Sequence, residues 1–386
     1  MSRFLFVVPP FVGHVTTPVS LGGELTSRGH DVAWALHRDA VGRLLPSDAR
    51  VYALDEADLP TVEDRPWLES VTYFWGEVMV RLAHGMLAGV EAALDDFGAD
   101  LVVADAAALA GPFAARRRAI PWATIGRIAL ALAPTHQLPK VREWFVATMT
   151  DLQREVGLEP VEWPNRSPDL VLLPTTRALE GDLELPAQFR LVGAMTDHRP
   201  EGPPFPWELL REMPRVFVSL GTRDGPQRRR FFSELANALD GLDVQLVVAA
   251  PPELVPPHPN VVARGEVPQL AVLEHVDAVV CHAGHNTVVE SLARALPLVV
   301  APIAYDQPVV AQQVVDARAG VRTRYADVTA DELREAIETV LSDPALRAGA
   351  ERVQRSFEAA GGVVAAADAL EELAARPRRA AVGVTS

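Results

Sequence analysis

Residues 278 to 308, AVVCHAGHNTVVESLARALPLVVAPIAYDQP, concentrate side chains whose types and spacing can do chemistry. A short apolar run ends at Cys281, His282 and Gly284 make a turn, and a helical pattern begins near Asn286. Glycine lets the backbone approach a ligand closely, and the free amides of a helix start, backed by the helix dipole, favour an anion. A phosphate suits that place, with His282, Asn286 and Thr287 adding hydrogen-bonding groups around it. Glu290 falls one turn after Asn286 on the same face, where a carboxylate would repel a phosphate but can accept from ribose hydroxyls. The set describes a site for a nucleoside diphosphate. The next apolar run, LVVAPI, ends in Tyr305, Asp306, Gln307 and Pro308. A carboxylate beside a carboxamide offers several acceptors and two donors, which suits a polyhydroxylated ring, although the pair by itself reads as an ordinary turn.

A second reactive position lies near the N-terminus. In VVPPFVGHVTTP, residues 7 to 18, His14 follows an apolar run, two prolines and a glycine, on a loop entering a helix expected to start near Thr17. Three roles compete for it: a histidine satisfied in a crowded turn, a metal ligand, and a general base. The metal role fails on inventory, because no His-x-x-x-His or Cys/His cluster accompanies it and His30 and His37 lack ligand spacing.

The elements that must position these residues alternate along the chain. Apolar runs FLFVV (4–8), DVAWAL (31–36), RVYAL (50–54), DLVVAD (100–105), PWATIG (121–126) and LVLLPT (170–175) are separated by helix-sized segments. RVFVSLG (215–221), VQLVVAA (244–250), NVVARG (260–265), AVVCHAG (278–284), LVVAPI (298–303) and GVRTRY (320–325) repeat the pattern. Continuous Val/Ile/Leu runs between helices indicate parallel strands covered on both faces. The fold class is therefore α/β, with two Rossmann-like doubly wound parallel-sheet domains facing across a cleft and ligands at the carboxyl ends of the strands. Residues 1–195 form the first domain, proline-rich 196–208 a linker and 209–355 the second domain; 356–386 form a C-terminal helix and tail expected to pack back on the first.

Composition narrows the classes. A chain of 386 residues is long for one core, and its net charge of −15 argues against binding a phosphate backbone. One cysteine, Cys281, excludes a disulfide framework and a Cys-rich zinc site. The N-terminus lacks a signal-peptide pattern and no apolar run approaches the roughly 20 residues that span a bilayer, so a cytoplasmic monomer or homodimer is expected. The arginine runs 116–118 and 228–230 read as solvated helix faces. Segment 61–98, with Trp67, Tyr73, Phe74, Trp75 and Phe97, reads equally as helix-packing core or as the lining of an apolar ligand.

Residues 278 to 308 resemble the donor-binding signature of the family 1 nucleotide-sugar glycosyltransferases, whose fold is GT-B. The spacing His-x-Gly-x-Asn-Ser/Thr-x-x-Glu stands here as His282, Gly284, Asn286, Thr287 and Glu290, and the Asp-Gln pair as Asp306 and Gln307. SLGT (219–222) is similar to the loop that opens the family's second domain, which implies that Ser219, Gly221 and Thr222 face the diphosphate. VPQLAVL (267–273) is similar to the segment that holds the base, through Val267 and Gln269. The resemblance runs from residue 4 to about 373 and is nearest to bacterial macrolide-type members that glycosylate natural products, including antibiotics. Two positions depart from it: Glu266 stands where many relatives carry an aromatic residue, and His285, which can either reach a phosphate or, the preferred expectation, point outward, replaces a glycine.

FVGHVTTP resembles the family's Gly-His-Val-x-Pro loop, and the strand end at Asp105 resembles the site of its activating aspartate. The resemblance implies an inverting transfer from a UDP- or dTDP-sugar, with His14 as base oriented by Asp105; Asp105 as N-cap of a helix at 107–116 is the alternative. It also implies no metal and no cofactor beyond the nucleotide-sugar co-substrate. Trp67, Phe74 and Trp75 are candidates for contact with a flat or hydrophobic aglycone such as a polyketide, macrolide or flavonoid. Non-hydrolysing nucleotide-sugar 2-epimerases share the paired domains but need no aglycone pocket, and a non-catalytic auxiliary partner would be expected to lose the donor motif. Neither half shows the Gly-x-Gly-x-x-Gly of a dinucleotide oxidoreductase.

Overall fold

The computed structural model describes residues 1–54, 67–128, 139–221 and 226–376, with Trp67, Leu68 and Pro226 in backbone only. Two compact units emerge: residues 1–174, 184–200 and 360 onward in the first, and 175–183 with 201–359 in the second. Residues 175–183 thus group with the second unit although they precede the proline-rich segment.

The first unit holds a parallel seven-stranded sheet of β1 (Arg3–Val7), β2 (Asp31–Leu36), β3 (Arg50–Ala53), β4 (Leu101–Asp105), β5 (Trp122–Ile125), β6 (Val171–Leu173) and β7 (Phe189–Leu191), in the order β3-β2-β1-β4-β5-β6-β7. β7 carries too short an apolar run to stand out in the sequence. Alternation along β1 divides the core into two layers. Leu5 and Val7 join Ala33, Val102 and Ala104 under helices Met79–Phe97 and Ala110–Arg117, while Phe4 and Phe6 join Trp34, Leu101 and Val103 on the opposite face. That second face is covered by helix Val12–Ser27 and by helix Gly362–Ala374 from the far end of the chain, through Val363, Ala366 and Leu370. Full burial of each large apolar side chain stabilises by about 1.5–3 kcal/mol, so both layers are needed to hold the sheet.

The second unit holds a parallel six-stranded sheet of β8 (Arg215–Ser219), β9 (Gln245–Ala249), β10 (Val261–Arg264), β11 (Ala278–Cys281), β12 (Leu298–Val300) and β13 (Gly320–Arg322), in the order β10-β9-β8-β11-β12-β13. Both sheets reverse their strand order once, between β1 and β4 and between β8 and β11. Crevices beyond the carboxyl ends of strands at such a reversal are where α/β sheets bind ligands. The arginine runs are less solvated than their charge suggests. Arg228 is buried with its guanidinium 5.7 Å from the Phe232 ring centre, and Arg116 reaches Gln153 Oε1 at 2.6 Å. Among the described residues no helix is long and apolar enough to cross a membrane.

Candidate active site

At the first reversal His14 lies in the first turn of helix Val12–Ser27, five residues earlier than the sequence suggests. Phe11 is extended at the N-cap, and the helix continues through Pro18. Proline punctuates a sequence strongly, but early in a helix it removes only the bond to the carbonyl four residues back, here that of His14. Asp105 ends β4 on the neighbouring strand, and its Oδ1 lies 2.8 Å from His14 Nδ1. The same oxygen accepts from the Ala107 amide at 2.8 Å, closing a turn that fixes the carboxylate. The helix that follows begins at Ala110 and its N-cap is Leu109, so Asp105 does not cap it. His14 and Asp105 are 8% and 5% exposed, which shields their interaction from water.

Arg127 Nη2 lies 2.5 Å from His14 Nε2. A guanidinium has only donors, so Nε2 must accept and Nδ1 must carry the proton donated to Asp105. Nothing in the sequence marks Arg127 beyond its place after an apolar run. Its proximity follows from register, since Asp105 pairs with Ile125 of β5, two residues before it.

Aromatic rings lead away from His14. The Phe11 ring centre is 5.6 Å from that of His14 and 6.0 Å from that of Phe74. Trp75 instead meets Phe145 edge-on at 5.3 Å, and Phe145 stacks on Trp163 in the core. Phe74–Val78 is a π-helical turn between helices Trp67–Tyr73 and Met79–Phe97. Such turns are rare and recur at functional sites. Within it a Cβ on Gly76 would stand 2.9 Å from the Trp144 ring, so a larger residue there would have to push that ring aside. The side chain of Trp67 lies outside the described residues. The described part of segment 61–98 thus supplies both core, at buried Phe97, and a half-buried ring, Phe74, against Phe11; residues 61–66 lie outside the described residues.

At the second reversal His282 follows β11, beside Ser219 at the end of β8. The Ser219 carbonyl accepts from the His282 amide at 3.4 Å and lies 3.3 Å from Nδ1, which therefore carries a proton. A Cβ on Gly284 would stand 2.5 Å from His282 Nε2, and one on Gly221, whose φ is +75°, 3.0 Å. The two glycines therefore make room for the imidazole as well as for a close ligand. Gly284 caps helix His285–Leu292, which opens with His285, Asn286 and Thr287. Ala283 and Tyr305 have φ of +60° and +57°, and both follow strands of this sheet edge. Left-handed backbone in a non-glycine residue costs on the order of 1–3 kcal/mol and collects at functional sites.

Gln269 Nε2 donates to Glu290 Oε2 at 2.5 Å, joining the segment at Val267 to the helix after β11. Gln307 Oε1 accepts from the Ile303 and Ala304 amides at 2.8 and 2.9 Å, so its oxygen shapes its own loop and its Nε2 is the group left for a ligand. Asp306 stands half-buried at the N-cap of helix Gln307–Asp316 without a side-chain capping bond. Thr222 lies outside the described residues. Glu266 is exposed, whereas His285 is buried at 3% exposure, contrary to its expected outward orientation; the first turn of its helix turns it into the unit. Burial pushes the Cys281 thiol up to about 12, which removes it as a nucleophile. Among the described residues no group of three His, Cys, Asp or Glu side chains is placed to hold a metal.

Two doubly wound parallel sheets, with a phosphate-compatible helix terminus at one reversal and a histidine–carboxylate pair at the other, define the GT-B glycosyltransferase class. Comparison with known proteins identifies the family. The model of the erythromycin biosynthesis protein CIII-like C-terminal domain matches residues 233–373. The chain is 30% identical to 4'-demethylrebeccamycin synthase of Lentzea aerocolonigenes over 96% of its length and 99% of that protein's. It is 27% identical to demethyllactenocin mycarosyltransferase of Streptomyces fradiae, covering 97% of this chain and 87% of that one. The crystal structure of the glycotransferase of kitacinnamycin superposes with a TM-score of 0.79 at 26% identity, over 96% of this chain and 99% of that one. The chain belongs to this family of natural-product glycosyltransferases and is an enzyme that transfers a sugar to a small molecule.

Proposed function

We propose that the chain moves a sugar from a UDP- or dTDP-linked donor to a hydroxyl of a small hydrophobic, ring-bearing natural product, with inversion at the anomeric carbon. The 2.8 Å contact between His14 and Asp105 at the first strand reversal carries the reading. His14 Nε2 takes the proton of the aglycone hydroxyl while that oxygen bonds to the anomeric carbon. The bond from that carbon to the diphosphate oxygen breaks, and its electron pair leaves with the nucleoside diphosphate. Asp105 orients the ring and stabilises the imidazolium that forms. One displacement at carbon inverts its configuration.

Ser219, Gly221, Thr222, His282, Gly284, Asn286 and Thr287 are the groups assigned to the diphosphate, Val267, Gln269 and Glu290 to the nucleoside, and Asp306 and Gln307 to the sugar. The helix-terminal amides and His282 meet the leaving charge in place of a metal ion. Phe11, beside His14, and Phe74, beside Phe11, suit a planar aglycone better than Trp75, which packs toward Phe145. Relatives named for rebeccamycin and for a mycarosyl transfer support a natural-product aglycone and an antibiotic pathway. We assign the enzyme to the cytoplasm, as a monomer or homodimer.

A thermal-shift titration with UDP, dTDP, GDP and NAD⁺ tests the donor half, with His282→Ala as control. A native-state binder raises the melting temperature with its occupancy. Stabilisation by UDP or dTDP that disappears in the variant supports the reading, and no shift with any nucleoside diphosphate overturns it. The anomeric coupling constant of the product, read by proton NMR, tests inversion.

A further inference from the structure

We propose that Arg127 gates the base, occupying the His14 lone pair until an aglycone with a second oxygen beside its reacting hydroxyl draws the guanidinium away. The proposal rests on His14 being the base. Arg127 Nη2 is 2.5 Å from Nε2, the nitrogen that must take the hydroxyl proton, while Asp105 engages the other ring nitrogen at 2.8 Å. The lone pair the reaction needs therefore already has a partner.

An entering hydroxyl has to displace that partner. Arg127 is half-buried and His14 is 8% exposed, so a displaced guanidinium does not simply return its hydrogen bonds to bulk water. Leaving a charged donor unsatisfied in a shielded place is unfavourable. Its backbone is also held, because Gly126 donates to the Leu172 carbonyl at 2.9 Å and Ile128 is buried at 4% exposure. The guanidinium can therefore swing by side-chain rotation but stays near His14. An aglycone that places a phenolic, carbonyl or carboxylate oxygen next to its nucleophilic hydroxyl supplies the replacement acceptor. A lone hydroxyl can accept from the guanidinium only through the oxygen that must attack, which ties up the nucleophile. With no aglycone present, the same contact keeps water from the lone pair and suppresses hydrolysis of the bound donor.

Arg127→Met keeps the length of the stem and removes the donors, and Arg127→Lys keeps a cation able to donate. The first measurement is carbethoxylation of His14 by diethyl pyrocarbonate, followed by peptide mass spectrometry, which needs no substrate. R127M should label about tenfold faster than wild type, the scale of one charge-assisted hydrogen bond, and R127K should stay near wild type. Equal labelling of R127M and wild type overturns the gate.

The second measurement compares kcat/KM for 3',4'-dihydroxyflavone and 4'-hydroxyflavone, a pair differing by one oxygen, with UDP-glucose and dTDP-glucose as donors. Wild type should favour the dihydroxy compound by about tenfold, R127M should bring the ratio near one, and the donor KM should not move. R127M should also release nucleoside diphosphate faster in the absence of any flavone. An unchanged ratio with turnover abolished by His14→Ala overturns the gate and leaves the base in place. Full turnover in H14A overturns the base assignment itself, and the gate with it.

Discussion

The two strand reversals are built on one plan and carry opposite electrostatics. Each places a histidine beyond a strand end and has its Nδ1 donate to an oxygen of the adjacent strand, which sets where Nε2 lies. At β1 and β4 the partner is the Asp105 carboxylate, and the surroundings are the Phe11 ring and a guanidinium. At β8 and β11 the partner is the Ser219 carbonyl, and the surroundings are two glycines and a helix start. A carboxylate favours positive charge on its imidazole, whereas a carbonyl mainly sets the ring's tautomer and orientation. The first arrangement suits acceptance of a proton, and the second suits a bound phosphate. The strand order fixes where chemistry can happen; the atom opposite Nδ1 decides which.

Exchanging the losses at the two histidines would break this comparison. His14→Ala should lower kcat by about 10²- to 10⁴-fold, the usual worth of a positioned general base, while UDP or dTDP still raises the melting temperature. Unchanged turnover would refute the base. His282→Ala should do the reverse and remove the nucleotide-induced shift. Asp105→Asn sharpens the same contrast, because the amide still accepts from Nδ1 but lacks the charge that steadies an imidazolium. Its kcat should fall by less than in H14A, with donor KM unchanged, and a loss confined to donor KM would contradict the division of roles.

Gly284→Ala is the next probe. The added Cβ, 2.5 Å from His282 Nε2, must push the imidazole aside. Donor KM should rise about tenfold, the scale of a hydrogen bond to a charged group, with little change in the His14 labelling rate. A donor KM equal to wild type would mean that His282 is not the phosphate's partner.

The sequence displays the second strand reversal more fully than the first, for a physical reason. Gly284, Asn286, Thr287 and Glu290 follow one strand and one helix start, so their neighbourhood is local and survives as spacing. Asp105 and His14 are 91 residues apart and Arg127 and His14 are 113, so their meeting depends on strand order and register. Asp105 could be named because it ends an obvious apolar strand, whereas Arg127 needed the Asp105 to Ile125 pairing. The helix beginning at Val12 was hidden by Pro18, and the π-turn at Phe74–Val78 has no periodic signature to read. Burial of His285 and Arg228 was equally unreadable, since polar identity says surface until packing decides otherwise.

The smallest expected effect concerns how the first unit recovers the end of the chain. Arg28 bonds Glu24 at 2.8 Å, Asp368 at 2.6 Å and Glu371 at 2.9 Å, and His30 lies 2.7 Å from Glu371. This cluster ties helix Gly362–Ala374 to the end of helix Val12–Ser27, the helix that carries His14. Hydrogen bonding from His30, and then from Arg28, holds the Glu371 carboxyl below its ordinary range, and Arg28 does the same to Glu24. A carboxyl depressed in the folded state stabilises above its unfolded pKa, about 4.3 for Glu, and loses that contribution as pH falls through the folded value. Glu371→Gln should therefore lower the melting temperature at pH 7 by no more than about 2–4 °C, the equivalent of roughly 1 kcal/mol for a partly exposed ion pair. The difference from wild type should shrink as pH drops below the unfolded value. The shift caused by UDP or dTDP should stay the same in E371Q, because every described residue proposed above to hold the donor belongs to the other unit. A variant that loses nucleotide stabilisation along with its ionic clamp would show that the two units do not divide the work as their strand reversals imply.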